Sequence, residues 1–412
     1  VRYESYLNAL LDYDSEFQGN SIAYRYASYS LDNLDVTVGN YYEQFGSGLV
    51  FRAYENKGLG VDNAMDGVRV KYNILNSIDI KSFIGKSRTY LEYSDGIVRG
   101  IDFETNLFEL LALENSTNLI LGSSFVSRFQ KDNNPKFNLP QNVGIYGLRS
   151  NLISGNFNYY LEYVHKYNDP AGSIGDNSNN YASGNAIKTS LTYFQKGLGF
   201  SFDAHRVDNM EFRSERQQSK EYIINYIPTL SKQHSYTLLA FYPCATQSNG
   251  EIGFQSDLYY KFDRGTIFGG KYGTKININY SRVLALDGGS SLKNDSIDFT
   301  PVFLGSSNEL FYSDLNLELV KKINSKLRVN STIAFQKYNK DVFEGKDEFG
   351  IIESTIGVID ATYKLKRKHT LRAELQALLT DDDDGSWSMA LFEYTMSPNW
   401  FFAIQDLYNF GN

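Results

Sequence analysis

Phe157-Asn158-Tyr159-Tyr160-Leu161-Glu162-Tyr163-Val164-His165-Lys166-Tyr167 carries the pattern that decides the fold. Phe157, Tyr159, Leu161 and Tyr163 fall on one face, with Asn158 and Glu162 on the other. A period of two belongs to a strand with unlike faces, and the stretch outruns the roughly 5–6 residues of an ordinary strand. The alternation also opens the chain, where Val1, Tyr3, Leu7, Ala9, Leu11 and Tyr13 oppose Arg2, Glu4, Tyr6, Asn8 and Asp12. It returns at Val68, Val70 and Tyr72 around Arg69 and Lys71, and at Tyr272, Ile276, Ile278 and Tyr280 around Lys275, Asn277 and Asn279. Near the end Leu327, Val329, Ile333 and Phe335 oppose Arg328, Asn330 and Gln336, and Leu371, Ala373, Leu375 and Ala377 oppose Arg372, Glu374 and Gln376.

Length separates a membrane barrel from a soluble sandwich, solenoid or propeller. Tyr3 and Tyr13, like Phe157 and Tyr167, bracket an apolar face. Ten residues at about 3.3 Å each, tilted by about 40°, span roughly 25 Å of barrel axis, the height of a lipid-facing band between aromatic girdles. Soluble sandwich and propeller strands are usually shorter, and a sheet in lipid must close because its edges cannot be satisfied there. The connections agree. Short turns at Asp32-Asn33, Asn76-Ser77, Ser154-Gly155-Asn156, Lys196-Gly197, Asn324-Ser325, 366–368 and Ser397-Pro398-Asn399 alternate with longer polar loops at 43–63, 130–142, 168–182, 285–308 and 339–349. The expected fold is all-β: one large antiparallel up-and-down transmembrane β-barrel domain over 1–412, of about 18–24 strands. The single helix-like piece is 106–114, where Asn106 and Glu109 have capping-box spacing; a turn or irregular strand is the alternative reading.

Composition narrows the partners. Of 412 residues, 15% are aromatic and only 21% charged, with 7 prolines, which excludes disorder and coiled coil. A net charge of −8 argues against nucleic acid. The single Cys244 excludes a disulfide framework or a cysteine zinc site within this chain, and a buried, inert thiol is expected. No run of 18 apolar residues is present, so no transmembrane helix is expected. The sequence starts at Val1 with no signal-peptide pattern and stops at Asn412 just after a strand-like run, which leaves room for further strands beyond both ends.

Several blocks resemble a known group. Residues 40–49 (Asn40 to Leu49), the glycine-rich Gly58-Leu59-Gly60-Val61-Asp62, the block from Asn249 to Gln255 and the block from Gly269 to Lys275 are similar to those of uncharacterised outer-membrane β-barrel proteins of the Bacteroidota. The resemblance covers most of the chain and implies an outer-membrane barrel, with no catalytic residue and no ligand.

Each candidate for chemistry has a simpler reading. Ser201, Asp203 and His205 share the polar face of one strand, yet same-face neighbours lie about 7 Å apart, beyond the roughly 2.6–3.2 Å that a nucleophile and base require. They read as a polar row on a barrel wall. Asp381 to Asp384, followed by Gly385, could hold Ca²⁺ or bridge it to lipopolysaccharide, but lack the ligand spacing of an EF-hand and read as a solvated hairpin. Gly46, Gly48, Gly58 and Gly60 lack the strand-to-helix context of a phosphate loop. The four histidines, His165, His205, His234 and His369, are too dispersed to propose a metal site. No cofactor, metal or catalytic residue is expected.

A barrel this wide cannot be filled by its own wall side chains, so its lumen is open, blocked by inward loops, or occupied by another protein. Two function classes follow: a passive pore for polar solutes, or a structural subunit of an outer-membrane assembly or secretion complex, with a hydrolase a distant third. Arg2, Glu4, Arg69, Glu162, Lys275, Arg328, Arg372 and Glu374 are the expected lumen-lining residues. The loop 208–222, with Arg213, Glu215 and Arg216, is the candidate constriction, a solvated rim loop being the simpler reading. Expected partners are outer-membrane lipid and lipopolysaccharide, and other outer-membrane proteins or lipoproteins.

Overall fold

The computed structural model describes residues 1–6, 18–75, 77–113, 116–132, 138–172, 179–216, 222–286, 305–346 and 349–411. Nineteen strands are ordered as one antiparallel barrel. Its wall runs Tyr26–Leu31, Leu34–Tyr41, Met65–Ile74, Ile78–Thr89, Ile97–Asn106, Thr117–Phe129, Asn142–Ser154, Phe157–Gly172, Asn179–Gln195, Leu198–Asp208, Gly250–Phe262, Thr274–Leu286, Ser306–Lys322, Leu327–Asn339, Ile351–Lys366, His369–Leu379, Trp387–Met396 and Trp400–Asn409. The nineteenth, Glu92–Tyr93, is a two-residue strand paired with Arg88 and Thr89.

Register follows the alternation. Thr117–Phe129 pairs without a break against Asn142–Ser154, so Leu148 lies opposite Ser123 and Arg149 opposite Gly122. Leu148 is 57% exposed on the outside of the barrel while Arg149 is buried inside it. Ile101, Phe125, Leu258, Ile278, Leu315, Phe335, Ile359 and Phe392 extend the same apolar outer face around the wall. Aromatic pairs edge this band. Tyr146 and Tyr167 meet near the long-loop end (ring centroids 6.0 Å) and Phe157 and Tyr193 near the short-turn end (4.5 Å). A soluble protein would not leave so continuous an apolar belt in water.

Trp400–Asn409 and Tyr26–Leu31 are neighbours in the barrel order. Nearly all the side chains of these two strands are exposed on both faces.

The start of the chain differs from the expectation. Arg2–Tyr6 pairs with Gly19–Tyr24 in a separate two-stranded sheet rather than in the wall, and residues 7, 9, 11 and 13 lie outside the described residues. Alternation identifies a two-faced strand without saying which sheet it joins. The expected helix is a single turn, Leu107–Leu110, and Asn106 makes no side-chain cap bond.

Candidate functional site

Two segments fold into the barrel interior from the long-loop end. The first, 42–64, connects Leu34–Tyr41 to Met65–Ile74 and contains two small hairpins, Glu43–Phe45 with Phe51–Ala53 and Glu55–Asn56 with Val61–Asp62. The second, 209–249, connects Leu198–Asp208 to Gly250–Phe262. Its run Leu238-Leu239-Ala240-Phe241-Tyr242 has no polar alternate residues, and Pro228 and Pro243 lack amide donors, so it suits a packed interior better than a two-faced wall.

Together the segments build two apolar cores on the inner side of the wall. In the first, Phe45 and Phe51 are fully buried against Phe83 of the wall, at ring-centroid distances of 5.5 and 4.4 Å. Val98, Val126 and Val164 from three further strands join Met210, Phe212 and Ile224 there. In the second, Leu230, Leu238, Leu239 and Tyr242 pack against Phe311, Ala334, Ile356, Val358 and Leu378 of the opposite strands. Each fully buried large apolar side chain contributes about 1.5–3 kcal/mol.

Polar bonds fix the segments to each other and to the wall. Arg52 N–H donates to the Ile224 carbonyl at 2.8 Å, and Tyr226 N–H to the Gly48 carbonyl at 2.9 Å. Ser47 donates to Glu162 through both its N–H (3.2 Å) and its hydroxyl, and Tyr160 OH donates to the same carboxylate at 2.8 Å. Lys166 Nζ donates to the Glu211 carbonyl at 2.8 Å. Across the barrel, Leu238 N–H donates to Gln376 at 2.8 Å, Gln336 Nε2 to the Leu239 carbonyl at 3.0 Å and Tyr236 OH to Asp360 at 3.2 Å. His234 Nε2 lies 2.6 Å from Asp314. Gly46 has φ +53, a backbone conformation that favours glycine, and a Cβ there would also press on Glu162 Oε1 at 2.5 Å.

The expected lumen residues are distributed unevenly. Arg69 faces inward to Asp35 (3.1 Å) and Glu43 (3.7 Å), and Glu162 is buried under Ser47. Arg372 bonds Asp360, Glu374 and Glu393 on the inner face. Lys275 and Arg328 are exposed at the short-turn end. Arg2 and Glu4 are not on the wall. They tie the separate sheet to Glu55, Asp62 and the wall residue Arg88. Glu4, Glu55 and Asp62 place three carboxylate oxygens within 4.8 Å of one another, a spacing that could suit a cation, but the two guanidinium groups already lie among them.

In the candidate constriction, Arg213 pairs with Glu211, Glu215 accepts from Asp95 N–H at 2.9 Å, and the Arg216 guanidinium caps the Gln130, Lys131 and Pro140 carbonyls. These charges hold the inward segment to the long-loop end. His205 meets Glu251 of the next strand at 2.6 Å, whereas Ser201 and Asp203 belong to the same row without converging on it. Asp383 of the acidic hairpin accepts from Tyr242 OH at 3.2 Å and from Lys340, so it braces the inward segment.

Burial pushes the Tyr236 phenol up to about 12, with Asp360 adding to the shift. Burial likewise drives the Cys244 thiol far up, with the Glu251 carboxylate adding to it. What sequence reasoning missed is the inward course of 223–249. Its available signal is the apolar run after Tyr236 inside an otherwise polar connection.

The fold, with two segments packed on its inner wall, defines a large antiparallel barrel of the outer-membrane type. The chain belongs to DUF6029, a family of unknown function, which it matches over residues 1–412. Among solved structures it is similar to two mutants of the ferric enterobactin receptor of Pseudomonas aeruginosa. These are 11% and 10% identical, with TM-scores of 0.39 and 0.40; 91% and 92% of this chain is covered. The chain spans 62% of the length of those receptor chains. It is also similar to Salmonella typhi OmpF, solved in complex with daunomycin, at 11% identity and a TM-score of 0.25, covering 84% of this chain and 98% of that one. No curated protein matches it.

Proposed function

We propose that the protein is a non-enzymatic integral outer-membrane barrel that serves as a structural subunit for a partner, with its lumen sealed by its own chain. The observation that supports this reading over a passive pore is the pair of inward segments. They are packed into two apolar cores and bonded to opposite walls, at Glu162 on one side and at Gln336 and Gln376 on the other. Lipid contacts the apolar belt, and the long loops face lipopolysaccharide and the cell exterior, as the rims of such barrels do.

The test is electrical. The purified barrel in planar bilayers should give no stable steps of ionic current, and deletion of 44–62 together with 211–247 should produce them. Large, stable steps from the intact chain would overturn the sealed-scaffold reading in favour of a pore. Mild solubilisation should also recover the chain with a stoichiometric partner.

A further inference from the structure

The short-turn end carries charge unlike the rest of the molecule. The chain is net −8, yet Lys261, Lys275, Lys322, Arg328 and Lys364 stand exposed on consecutive wall strands near their short-turn ends. Strand parity turns all five toward the lumen. Lys261 and Lys275 share the faces of Glu251 and Asn279, Lys322 and Arg328 those of Asp314 and Gln336, and Lys364 that of Asp360, all inward groups.

Register sharpens the anomaly. Lys261 lies directly opposite Lys275, and Lys322 directly opposite Arg328. Like charges in directly opposed positions destabilise a sheet. Among the described residues none of the five forms an ion pair with a carboxylate. The inward acids nearby are committed: Asp257 to Asn279 (2.7 Å) and Gln255 (2.9 Å), Glu318 to Asn277 (2.9 Å) and Lys232 (3.6 Å), and Glu393 to Arg372 (2.6 Å). The adjoining turn 366–368 adds three further exposed cations. At the opposite end, by contrast, cations such as Arg88 and Lys340 are matched to acids.

We propose that this arc is a docking site for an acidic polypeptide segment of the partner, entering the lumen mouth from the short-turn side. The inference rests on the structural-subunit reading and assigns the chemistry of its contact. Length and direction select the occupant. From Gly250–Phe262 to Ile351–Lys366 the arc crosses five strands, about 19 Å at about 4.8 Å per step, too far for one phosphate and matched by about six residues of extended chain. The side chains face the lumen, so headgroups of the surrounding bilayer do not lie over them. An acidic segment would remove the repulsion of both opposed pairs, and the field of the arc would steer its approach.

The experiment uses the full chain in a neutral detergent with fluorescein-labelled hexaglutamate, read by fluorescence anisotropy. Saturable binding that weakens with added salt is expected, with no comparable binding of hexaserine. The variant Lys261→Gln/Lys275→Gln/Lys322→Gln/Arg328→Gln should bind at least about tenfold more weakly. It should also melt at a higher temperature than the unmodified barrel when no peptide is present, because its repulsion is gone. Lys346→Gln, at the long-loop end, should bind as the unmodified chain does. The two-site variants, each neutralising one opposed pair, provide the same comparison if the fourfold variant fails to fold. Unchanged hexaglutamate binding after neutralisation would overturn the proposal. So would selective capture of phosphatidylglycerol by the same four cations without peptide binding, since that makes the arc a lipid site. Conductance is read separately: an open pore that still binds hexaglutamate defeats the scaffold reading and leaves the acidic site standing.

Discussion

The two ends of the lumen are built on opposite principles. From the long-loop end down to the middle of the wall, several buried cations are paired with acids. Arg149 meets Asp102 (2.8 Å) and Glu104 (2.9 Å), and Arg88 meets Glu4 and Asp62. At the short-turn end Lys261 faces Lys275 and Lys322 faces Arg328, with no acid paired to any of them among the described residues. Matched charge around an apolar packing holds a chain to itself. Opposed like charge at an open mouth costs stability until something from outside neutralises it. The difference separates the part of the interior that seals from the part that can receive.

The largest effect is expected from removing a matched cation. Arg149→Ala leaves Asp102 buried with only the Ser124 hydroxyl and no cation, and should cost about 3–5 kcal/mol in urea unfolding from lipid vesicles. Lys322→Gln at the mouth should stay within about 0.5 kcal/mol of the unmodified chain. Equal effects would mean that charge is held alike at the two ends. Next in size is the outer face. Leu148→Arg should cost about 2–4 kcal/mol and impair insertion, while the same substitution at the inward Asn151 should insert normally; folding yields in lipid vesicles compare the two.

Smaller again is the seat of the first inward segment. Gly46→Ala combines a positive φ with a clash on Glu162, and should cost about 1–3 kcal/mol and raise proteolysis within 42–64. The least change is expected at Cys244. Its raised pKa means less thiolate at a given pH, so maleimide labelling of the folded barrel at pH 8 should run far slower than that of a free thiol and recover on unfolding. Rapid labelling of the folded chain would show that the second inward segment is not packed around it.

The wall was legible because one rule acts locally along each strand. Phe157 and Tyr167 are 53% and 52% exposed at the two edges of the outer belt, and the turns at Asp32-Asn33, Ser154-Gly155-Asn156 and Lys196-Gly197 fall where the sequence places them. The interior obeys no such local rule. Residues 222–249 fold inward because Gln336, Gln376, Asp314 and Asp360, far along the chain, present partners to them, and no periodicity within the segment encodes that. Arg2–Tyr6 fails for the complementary reason. Its alternation is genuine, but the groups that claim it, Glu55, Asp62 and Arg88, come from other elements. The opposed cations at the mouth are visible as residues in the sequence and become pairs only once register is known.

The junction of Tyr26–Leu31 with Trp400–Asn409 bears on how such a cylinder assembles. Most wall contacts join strands that are consecutive in the chain, so the meander can grow hairpin by hairpin at low loop-closure entropy. Among the described wall pairings, this junction alone brings together residues from opposite ends of the sequence. Zipping therefore runs around the circumference in sequence order and closes there last.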